Sequence, residues 1–377
     1  MLVSRFCALC LGATILALSG FVAVAVQAAD QPQYENGDIK IPAAKADEAK
    51  LENVSVAKAM SYLEQGSLAW SAQRKCVSCH TNGIYMTVMP ALASSLGKPS
   101  DATREFFLET LKTMSAEPKV KLRQSTKPAQ VIYLAAGLAE WDANITKQLS
   151  AETDQALSLM LGIQDDKGTW GSLDCWPPYE SDAFHEATVA AMAVATAPGW
   201  LQKLAETKNE KLLASVEKLK TYLRTETPPH DYGRVLLLWA NSRMKGLLDD
   251  AKPRELIDML AKHQRDDGGW SIRTFAAPES WGKGNRAEKL KAESEFANPL
   301  SDGHMTGLAI IVLREAGVAA NEPRLQKGIS WLSTNQRESG RWWTRSLNTD
   351  SWHFITYSGT AFPLLALQMC NALPVTK

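Results

Sequence analysis

The sequence predicts an all-α fold, a double ring of about six helical hairpins, and three observations carry that prediction. A seven-residue pattern, QxxxGxW, occurs three times, and self-similarity of this kind is typical of repeat architectures. An amphipathic helical pattern precedes each copy, and a small, mostly apolar segment follows each one. Because the first helix of each pair is two-faced and the second is apolar nearly all round, we expect an outer and an inner layer.

Six helical pairs can be placed along the chain. The pattern itself occurs at Gln164–Trp170, Gln264–Trp270 and Gln336–Trp342. In each copy we expect the glycine to end the outer helix, and the glutamine and tryptophan to tie that end to the next hairpin. Weaker pairs that lack the pattern occupy residues 57–96, 104–141 and 215–244. These complete a set large enough to close a ring.

The beginning of the chain has the features of an export signal. Arg5 is followed by an apolar run that reaches Val26 and by small residues suited to cleavage. The prediction is a signal peptide at 1–28, an extended N-terminal segment at 29–54 and the helical domain at 55–377. We therefore expect a periplasmic or otherwise exported protein with no integral membrane domain after signal removal. The alternative is an apolar run retained as an anchor, since about 20 apolar residues can span a bilayer.

Charge and cysteine content limit the classes of protein to which the chain can belong. The chain holds 41 Lys and Arg and 41 Asp and Glu, so its formal net charge is zero. A balanced charge gives no reason to expect nucleic acid or an anionic surface as a partner. The cysteines that follow the signal are Cys76, Cys79, Cys175 and Cys370. They are too few for a disulfide scaffold in a domain that can bury its own core.

Residues 76–80, CVSCH, have the order and spacing that attach c-type haem. Two thiols one helical turn apart bond the porphyrin, and the adjacent imidazole takes the iron. Exported chains also pass through the compartment in which bacteria attach this cofactor. The prediction is one covalent haem c held by Cys76, Cys79 and His80. A redox or structural cysteine pair and a zinc half-site are the alternatives.

The second axial ligand of the iron is expected near the start of a predicted inner helix. The histidines with this placement are His185, His230, His304 and His353, and it aims them at the mouth of the ring that receives His80. His304 is the first choice, because a cap-like Ser301-Asp302 precedes it and small residues follow it. The other three are alternatives, and helix capping or core packing is the competing role for each.

Acidic residues lie beside three of these histidines, at Glu186, Asp231 and Asp302. Each can orient an imidazole or shift its pKa, and each can also cap a helix. They are the catalytic candidates if a reaction needs a protein acid. Aromatic residues gather in the connecting loops, at Trp176, Tyr179, Trp281, Trp342, Trp343 and Trp352. The longest connection, residues 271–300, predicts a charged flap over one mouth.

The QxxxGxW loops resemble the QW repeats of the terpenoid cyclase and protein prenyltransferase superfamily. The resemblance covers roughly residues 55–373 and implies an α/α toroid with a central cavity. More narrowly, WSAQRKCVSCHTNGIYMTVMPAL resembles the opening of exported bacterial squalene cyclase-like proteins that carry CxxCH. The chain lacks the DxDD acid motif of the cyclases, and no Asp, Cys and His trio matches the zinc site of the prenyltransferases. The resemblance therefore implies a fold rather than a reaction.

Three functions are consistent with these features. The preferred one is an exported, single-haem c-type cytochrome-like toroid, acting in electron transfer or in redox chemistry on a small ligand in the central cavity. Its expected partners are a redox protein or a small apolar ligand. The first alternative is a haem-free squalene cyclase- or prenyltransferase-like enzyme on an isoprenoid or lipid, with acid from Asp302 or Glu186. The second is a non-catalytic scaffold that binds a ligand or peptide.

Overall fold

A computed structural model describes residues 31–174, 176–179 and 182–374. The predicted signal peptide, 1–28, and Cys175 lie outside the described residues. Nearly all regular structure within those ranges is helical, which confirms the all-α prediction. The segment predicted to be extended contains one antiparallel hairpin, formed by β1 (Tyr34–Asn36) and β2 (Ile39–Ile41).

Helices follow one another along the rest of the described chain. The first are α1 (Val56–Arg74), α2 (Asn82–Leu96), α3 (Asp101–Ala116), α4 (Lys119–Leu122), α5 (Lys127–Trp141), α6 (Ala151–Gly162), α7 (Ala183–Thr196) and α8 (Trp200–Glu206). They are followed by α9 (Glu210–Thr225), α10 (Asp231–Arg243), α11 (Ala251–Lys262), α12 (Ala287–Lys291), α13 (Ser294–Ala297), α14 (Gly303–Glu315), α15 (Pro323–Thr334) and α16 (Ile355–Met369). A π-helical turn, Asp142–Thr146, extends α5, and 3-10 turns lie at Ile272–Thr274 and Pro278–Gly284.

The inner layer, formed by α2, α5, α7, α10, α14 and α16, closes on itself. Each of these helices packs against the next one in chain order, and α16 packs against α2. The C-terminal ends of four of them meet where the Arg243 guanidinium of α10 bonds Glu140 of α5, Thr196 of α7 and Glu315 of α14. Neighbouring inner helices therefore run parallel, beginning at one mouth of the ring and ending at the other.

The outer layer consists of α1, α3, α6, α9, α11 and α15, which alternate with the inner helices along the chain. The two layers differ in burial as the apolar patterns predicted. Outer helix α11 buries only Leu256 and Leu260, whereas every residue of α16 from Ile355 to Leu367 is buried. An outer helix presents one apolar stripe to the core, and an inner helix is surrounded by protein. The described residues thus contain the six predicted pairs.

The QxxxGxW loops fasten each hairpin to the following outer helix. Each glutamine Nε2 donates to the carbonyl of its own glycine and to a carbonyl in or just before the next outer helix, at Ser215, Arg324 and Ser55. Each tryptophan Nε1 donates to a carbonyl ten residues earlier, which lies in the outer helix just before the loop. Each glycine has a positive φ, and a Cβ there would overlap the next outer helix. The glutamine ties are those that the sequence predicted. The other two expectations were wrong, because the tryptophans bond their own outer helices and the glycines lie six residues beyond the helix ends, as Gly168 does beyond Gly162.

Residues 271–300, predicted as a charged flap, are folded against the ring. Arg273 and Glu293 are both buried and form an ion pair at 2.6 Å. Trp281 is fully buried, with its ring centroid 4.7 Å from that of His230. Because His230 caps α10, these contacts lie where the inner helices begin. The segment is a fixed cover over part of that mouth.

Candidate functional site

The CVSCH residues form the connection between α1 and α2. Lys75 ends α1 in the left-handed region, with φ of 51°. Asn82 then holds the loop, since its Oδ1 accepts from Ser78 N at 2.8 Å and its Nδ2 donates to Cys76 O at 3.0 Å. Gly83 N donates to Ser78 O at 3.0 Å, and a Cβ on Gly83 would lie 2.2 Å from that oxygen. The residues after the motif thus fix the backbone that carries the two thiols and the imidazole.

Cys76, Cys79 and His80 line one cavity at the mouth where the inner helices begin. Its volume is about 330 Å³, which is in the range of small-molecule and cofactor sites. Its aromatic walls are Trp70, Trp176, Tyr179, Trp352 and Phe354. Its polar side chains besides the cysteines and the histidine are Ser78, Thr126, Gln130, Ser346, Asn348 and Thr349. Trp176 remains 43% exposed, so this wall faces solvent.

His80 is held in a defined orientation. Its ring stacks on Phe354, with centroids 4.9 Å apart, and meets Trp70 edge-on at 4.6 Å. Its Nδ1 lies 2.8 Å from Thr81 Oγ1, which leaves Nε2 as the nitrogen available to the cavity. Burial, together with the Arg74 charge, lowers the pKa of His80 to about 3. The imidazole is therefore neutral at neutral pH, as a metal-ligating histidine must be.

The donor set and the aromatic walls of the cavity match what a covalently attached porphyrin requires. Such a group needs two thiols, one neutral imidazole and apolar surfaces that cover its faces. Cys76 is half-buried and Cys79 is buried. Among the described residues, no three His, Cys, Asp or Glu side chains converge in the way a metal-ion site requires. Porphyrin attachment does not need such convergence, because the thiols bond carbon rather than metal.

His304, the first choice for a second iron ligand, lies away from this cavity. It is fully buried, and both ring nitrogens have partners, Ser358 Oγ for Nδ1 at 2.7 Å and Tyr232 OH for Nε2 at 3.1 Å. The Ser358 hydroxyl donates its proton to Ile355 O at 3.0 Å. The hydrogen bond between His304 Nδ1 and Ser358 Oγ is therefore donated by Nδ1–H, and Nε2 accepts from the Tyr232 hydroxyl. In this arrangement His304 offers no nitrogen to a group bound at His80.

The alternative histidines also lie outside the cavity. His185 Nε2 pairs with a tyrosine hydroxyl at 3.0 Å, His230 Nδ1 caps α10 at 3.1 Å, and His353 Nδ1 accepts a backbone N–H at 3.0 Å. Burial lowers the pKa of each of them, to about 4 for His185 and His353. His80 is the one histidine that lines the cavity in the described part of the chain.

Tyr179 lies among three of the histidines. The ring centroids of His80, His185 and His304 are 6.4, 6.3 and 6.0 Å from that of Tyr179. Its hydroxyl bonds Ser358, which is also the partner of His304. The structure thus brings histidines together at one mouth, as the helix starts predicted, and it gathers them around a tyrosine.

The acidic candidates have structural partners. Asp302 caps α14 and accepts two backbone N–H groups, at 2.8 and 2.7 Å. Asp231 forms an ion pair with Arg234 at 2.6 Å. Glu186 is buried within α7. Of the described residues that line the His80 cavity, none is an acid.

The axis of the ring is nearly filled by side chains. The cavity there has a volume of about 50 Å³, and Tyr133, Tyr179 and Tyr232 form part of its wall. That volume holds a few water molecules and is far below the roughly 300 Å³ of the smallest usual ligand pockets. The pair formed by Glu140 and Arg243 lies at the far end. The central ligand cavity that the resemblance implied is therefore small, and the cavity beside His80 is several times larger.

Tyr34, Thr81 and Phe354 belong to the His80 site and were not predicted. Thr81 bonds His80 Nδ1, Tyr34 OH lies 3.0 Å from Thr81 Oγ1, and Phe354 stacks on the imidazole. Thr81 follows the motif directly, so its position was a usable signal. The other two are distant in sequence, and no local pattern marks them.

Fold and site together define a helical ring protein with two thiols and a neutral imidazole in one cavity at its mouth. No protein-family model matches the chain, and no curated protein matches it significantly. Across the ranges that the structure describes, no helix combines the length and the apolar character needed to cross a membrane.

Proposed function

We propose that the chain is an exported, c-type cytochrome-like member of the terpenoid cyclase and protein prenyltransferase superfamily, with one haem c attached at the mouth of its ring. The observation that carries this proposal is that Cys76, Cys79 and His80, in CxxCH order, line one aromatic-walled cavity. Bound there, the haem would supply one-electron chemistry at its iron. The predicted export signal supports the proposal, because bacteria attach haem c outside the cytoplasm.

The residues of the cavity have distinct roles in this proposal. Cys76 and Cys79 would attach the porphyrin, and His80 would ligate the iron through Nε2. Phe354 and Trp70 fix the plane of the imidazole by stacking and edge contact. Burial keeps the imidazole neutral, so its lone pair is available without a prior loss of a proton.

Redox chemistry on a small ligand is the form of the function that we favour over simple electron transfer. The described residues that line the cavity include no histidine besides His80 and no methionine. A haem held at His80 would then leave room in the cavity for an exchangeable small molecule. Gln130 and Asn348 supply amide groups that can hydrogen-bond it.

The deciding experiment measures the intact mass and the reduced pyridine haemochrome spectrum of protein exported from a host that matures c-type cytochromes. The expected result is a mass excess of one haem together with a c-type absorption band. An unmodified mass from such a host, with other c-type cytochromes matured normally, would overturn the proposal.

A second measurement separates the two forms of the function. Cyanide or imidazole is titrated into the haem-loaded protein while the absorption spectrum is followed. A high-spin spectrum that converts to low-spin on ligand addition supports an open position. A spectrum that is low-spin from the start, and that does not respond, favours electron transfer.

A further inference from the structure

The N-terminal hairpin reaches the His80 site from outside the helical ring. Tyr34, in β1, is buried and packs against α1. Its hydroxyl lies 3.0 Å from Thr81 Oγ1, and Thr81 Oγ1 lies 2.8 Å from His80 Nδ1. Thr81 is fully buried, so no solvent competes for its hydroxyl. A hydrogen-bonded chain therefore runs from β1 to the imidazole.

The segment that carries Tyr34 is fastened where the ring closes. Arg341 Nη1 donates to Pro42 O at 2.9 Å, and Arg337 Nη1 donates to Glu48 O at 2.7 Å. Both arginines belong to the last QxxxGxW loop, which itself binds the cap of α1. The hairpin thus spans the seam between the last and the first helical pair, and its position is set by both.

The proton on Thr81 decides which nitrogen of His80 is free. If Thr81 donates to Tyr34, His80 must donate from Nδ1, and the Nε2 lone pair faces the cavity. If Thr81 donates to His80, the proton of the imidazole is on Nε2, which then cannot ligate a metal. The Tyr34 hydroxyl also interacts with the Tyr62 hydroxyl, which can accept the Tyr34 proton. This allows Tyr34 to accept from Thr81.

We infer that Tyr34 is a positioning residue which, through Thr81, holds His80 in the tautomer with Nδ1 protonated and Nε2 free toward the cavity. Histidines that bind metals generally donate the N–H of their second ring nitrogen to a hydrogen-bond acceptor, and Thr81 Oγ1 has that position here. The inference deepens the proposed function and rests on it for its purpose. It makes the N-terminal hairpin part of the site and not only a cover for α1.

The test reads the tautomer of His80 directly, in the mature chain produced without haem maturation. Nitrogen-15 NMR of the imidazole distinguishes a protonated ring nitrogen from a bare one. We expect a protonated Nδ1 in the wild type. In Tyr34→Phe, Thr81 loses its phenol acceptor and turns to His80, so the ratio of the two tautomers shifts toward Nε2–H by about fivefold or more, the effect of one hydrogen bond.

Tyr357→Phe is the matched control. Tyr357 lies in the same aromatic cluster, with its ring centroid 6.0 Å from that of Tyr34, but its hydroxyl donates to Leu63 O. This variant is expected to keep the wild-type tautomer. If Tyr34→Phe does not fold by circular dichroism, Thr81→Val and Thr81→Ser give the same test, with only the serine retaining the wild-type ratio.

Two results would overturn the inference. One is an Nε2–H tautomer of His80 in the wild type, and the other is a tautomer ratio that is the same in Tyr34→Phe, Tyr357→Phe and the wild type. Its failure is distinguishable from that of the proposed function. The tautomer is measured on haem-free protein, whereas the proposed function is judged by the mass of the protein after haem maturation.

Discussion

The Gln336 side chain closes the ring by bonding both backbone groups of Ser55, a residue 281 positions earlier. Its Oε1 accepts from Ser55 N at 2.6 Å, and its Nε2 donates to Ser55 O at 3.1 Å. The same Nε2 donates to Gly340 O at 2.7 Å, within its own loop. The other two QxxxGxW glutamines make the same kind of tie between consecutive hairpins. The last copy therefore joins the end of the ring to its beginning.

Gln336→Ala is expected to lower the free energy of unfolding by about 3 kcal/mol, because three hydrogen bonds of about 1 kcal/mol each are lost. Chemical denaturation followed by far-UV circular dichroism measures the change. Gln65→Ala is the control, since Gln65 is exposed on α1 and bonds only Ser61 in its own helix. Equal stability of the two variants would contradict a closing role for Gln336.

Cys76→Ser combined with Cys79→Ser is expected to abolish covalent haem and to leave the helical fold intact. The packing of the inner helices and the QxxxGxW ties, which involve neither side chain, hold the fold together. Intact mass after expression with haem maturation, and far-UV circular dichroism, measure the two effects. Cys370→Ala is the control, because Cys370 is a buried thiol outside the cavity. Haem retained in the double variant would mean that the attachment residues lie elsewhere.

The helical architecture was predictable because it follows from the local spacing of apolar residues along the sequence. A two-faced helix followed by an apolar one is visible in a window of some thirty residues, and QxxxGxW marks where one pair is tied to the next. The role of Gln164 was therefore recognisable before any contact was known. The CxxCH motif was visible for the same reason, since all its chemistry lies within five consecutive residues.

The surroundings of the histidines were not predictable in this way. The start of α14 placed His304 at the correct mouth, but its partners Ser358 and Tyr232 are 54 and 72 residues away. Whether its nitrogens face a cavity or neighbouring side chains depends on how three inner helices pack. The link from Tyr34 to Thr81 likewise spans 47 residues and two kinds of structure. Periodicity orders helices around a ring, but it does not fix side-chain partners.

Gly83→Ala is expected to destabilise the protein by about 2 kcal/mol and to reduce haem attachment. A Cβ at this position would lie 2.2 Å from Ser78 O, so the CVSCH backbone must move. Denaturation gives the stability, and the haem-loaded fraction by mass gives the attachment.

Gly162→Ala is the matched control for Gly83→Ala. The nearest atom to its added Cβ is the Nζ of Lys119, the end of a flexible chain. Alanine also favours the helix over glycine, so this variant should be as stable as the wild type or more stable by up to about 1 kcal/mol. Similar losses in both variants would show that the close approach at Ser78 is not the cause.

The carboxyl group of Asp302 gives the stability of the fold a particular dependence on pH. Burial raises its pKa to about 6, against the opposing effect of the backbone N–H groups of Met305 and Ile272. A carboxyl whose pKa is raised on folding stabilises the folded state while it is protonated. Its contribution is therefore complete below the unfolded pKa of 3.8 and is lost as the pH rises through about 6.

Asp302→Asn should remove this dependence, because the amide keeps an oxygen that caps α14 but does not titrate. Between about pH 4.5 and 7.5, the free energy of unfolding of the wild type should fall by roughly 2 kcal/mol relative to that of the variant. Asp101→Asn, at an exposed acid in the first turn of α3, should parallel the wild type. Denaturant midpoints across this range test the prediction. If the stability of the wild type and of Asp302→Asn changes with pH in parallel, Asp302 is already ionised at pH 4.5, stabilised by the backbone N–H groups that donate to it.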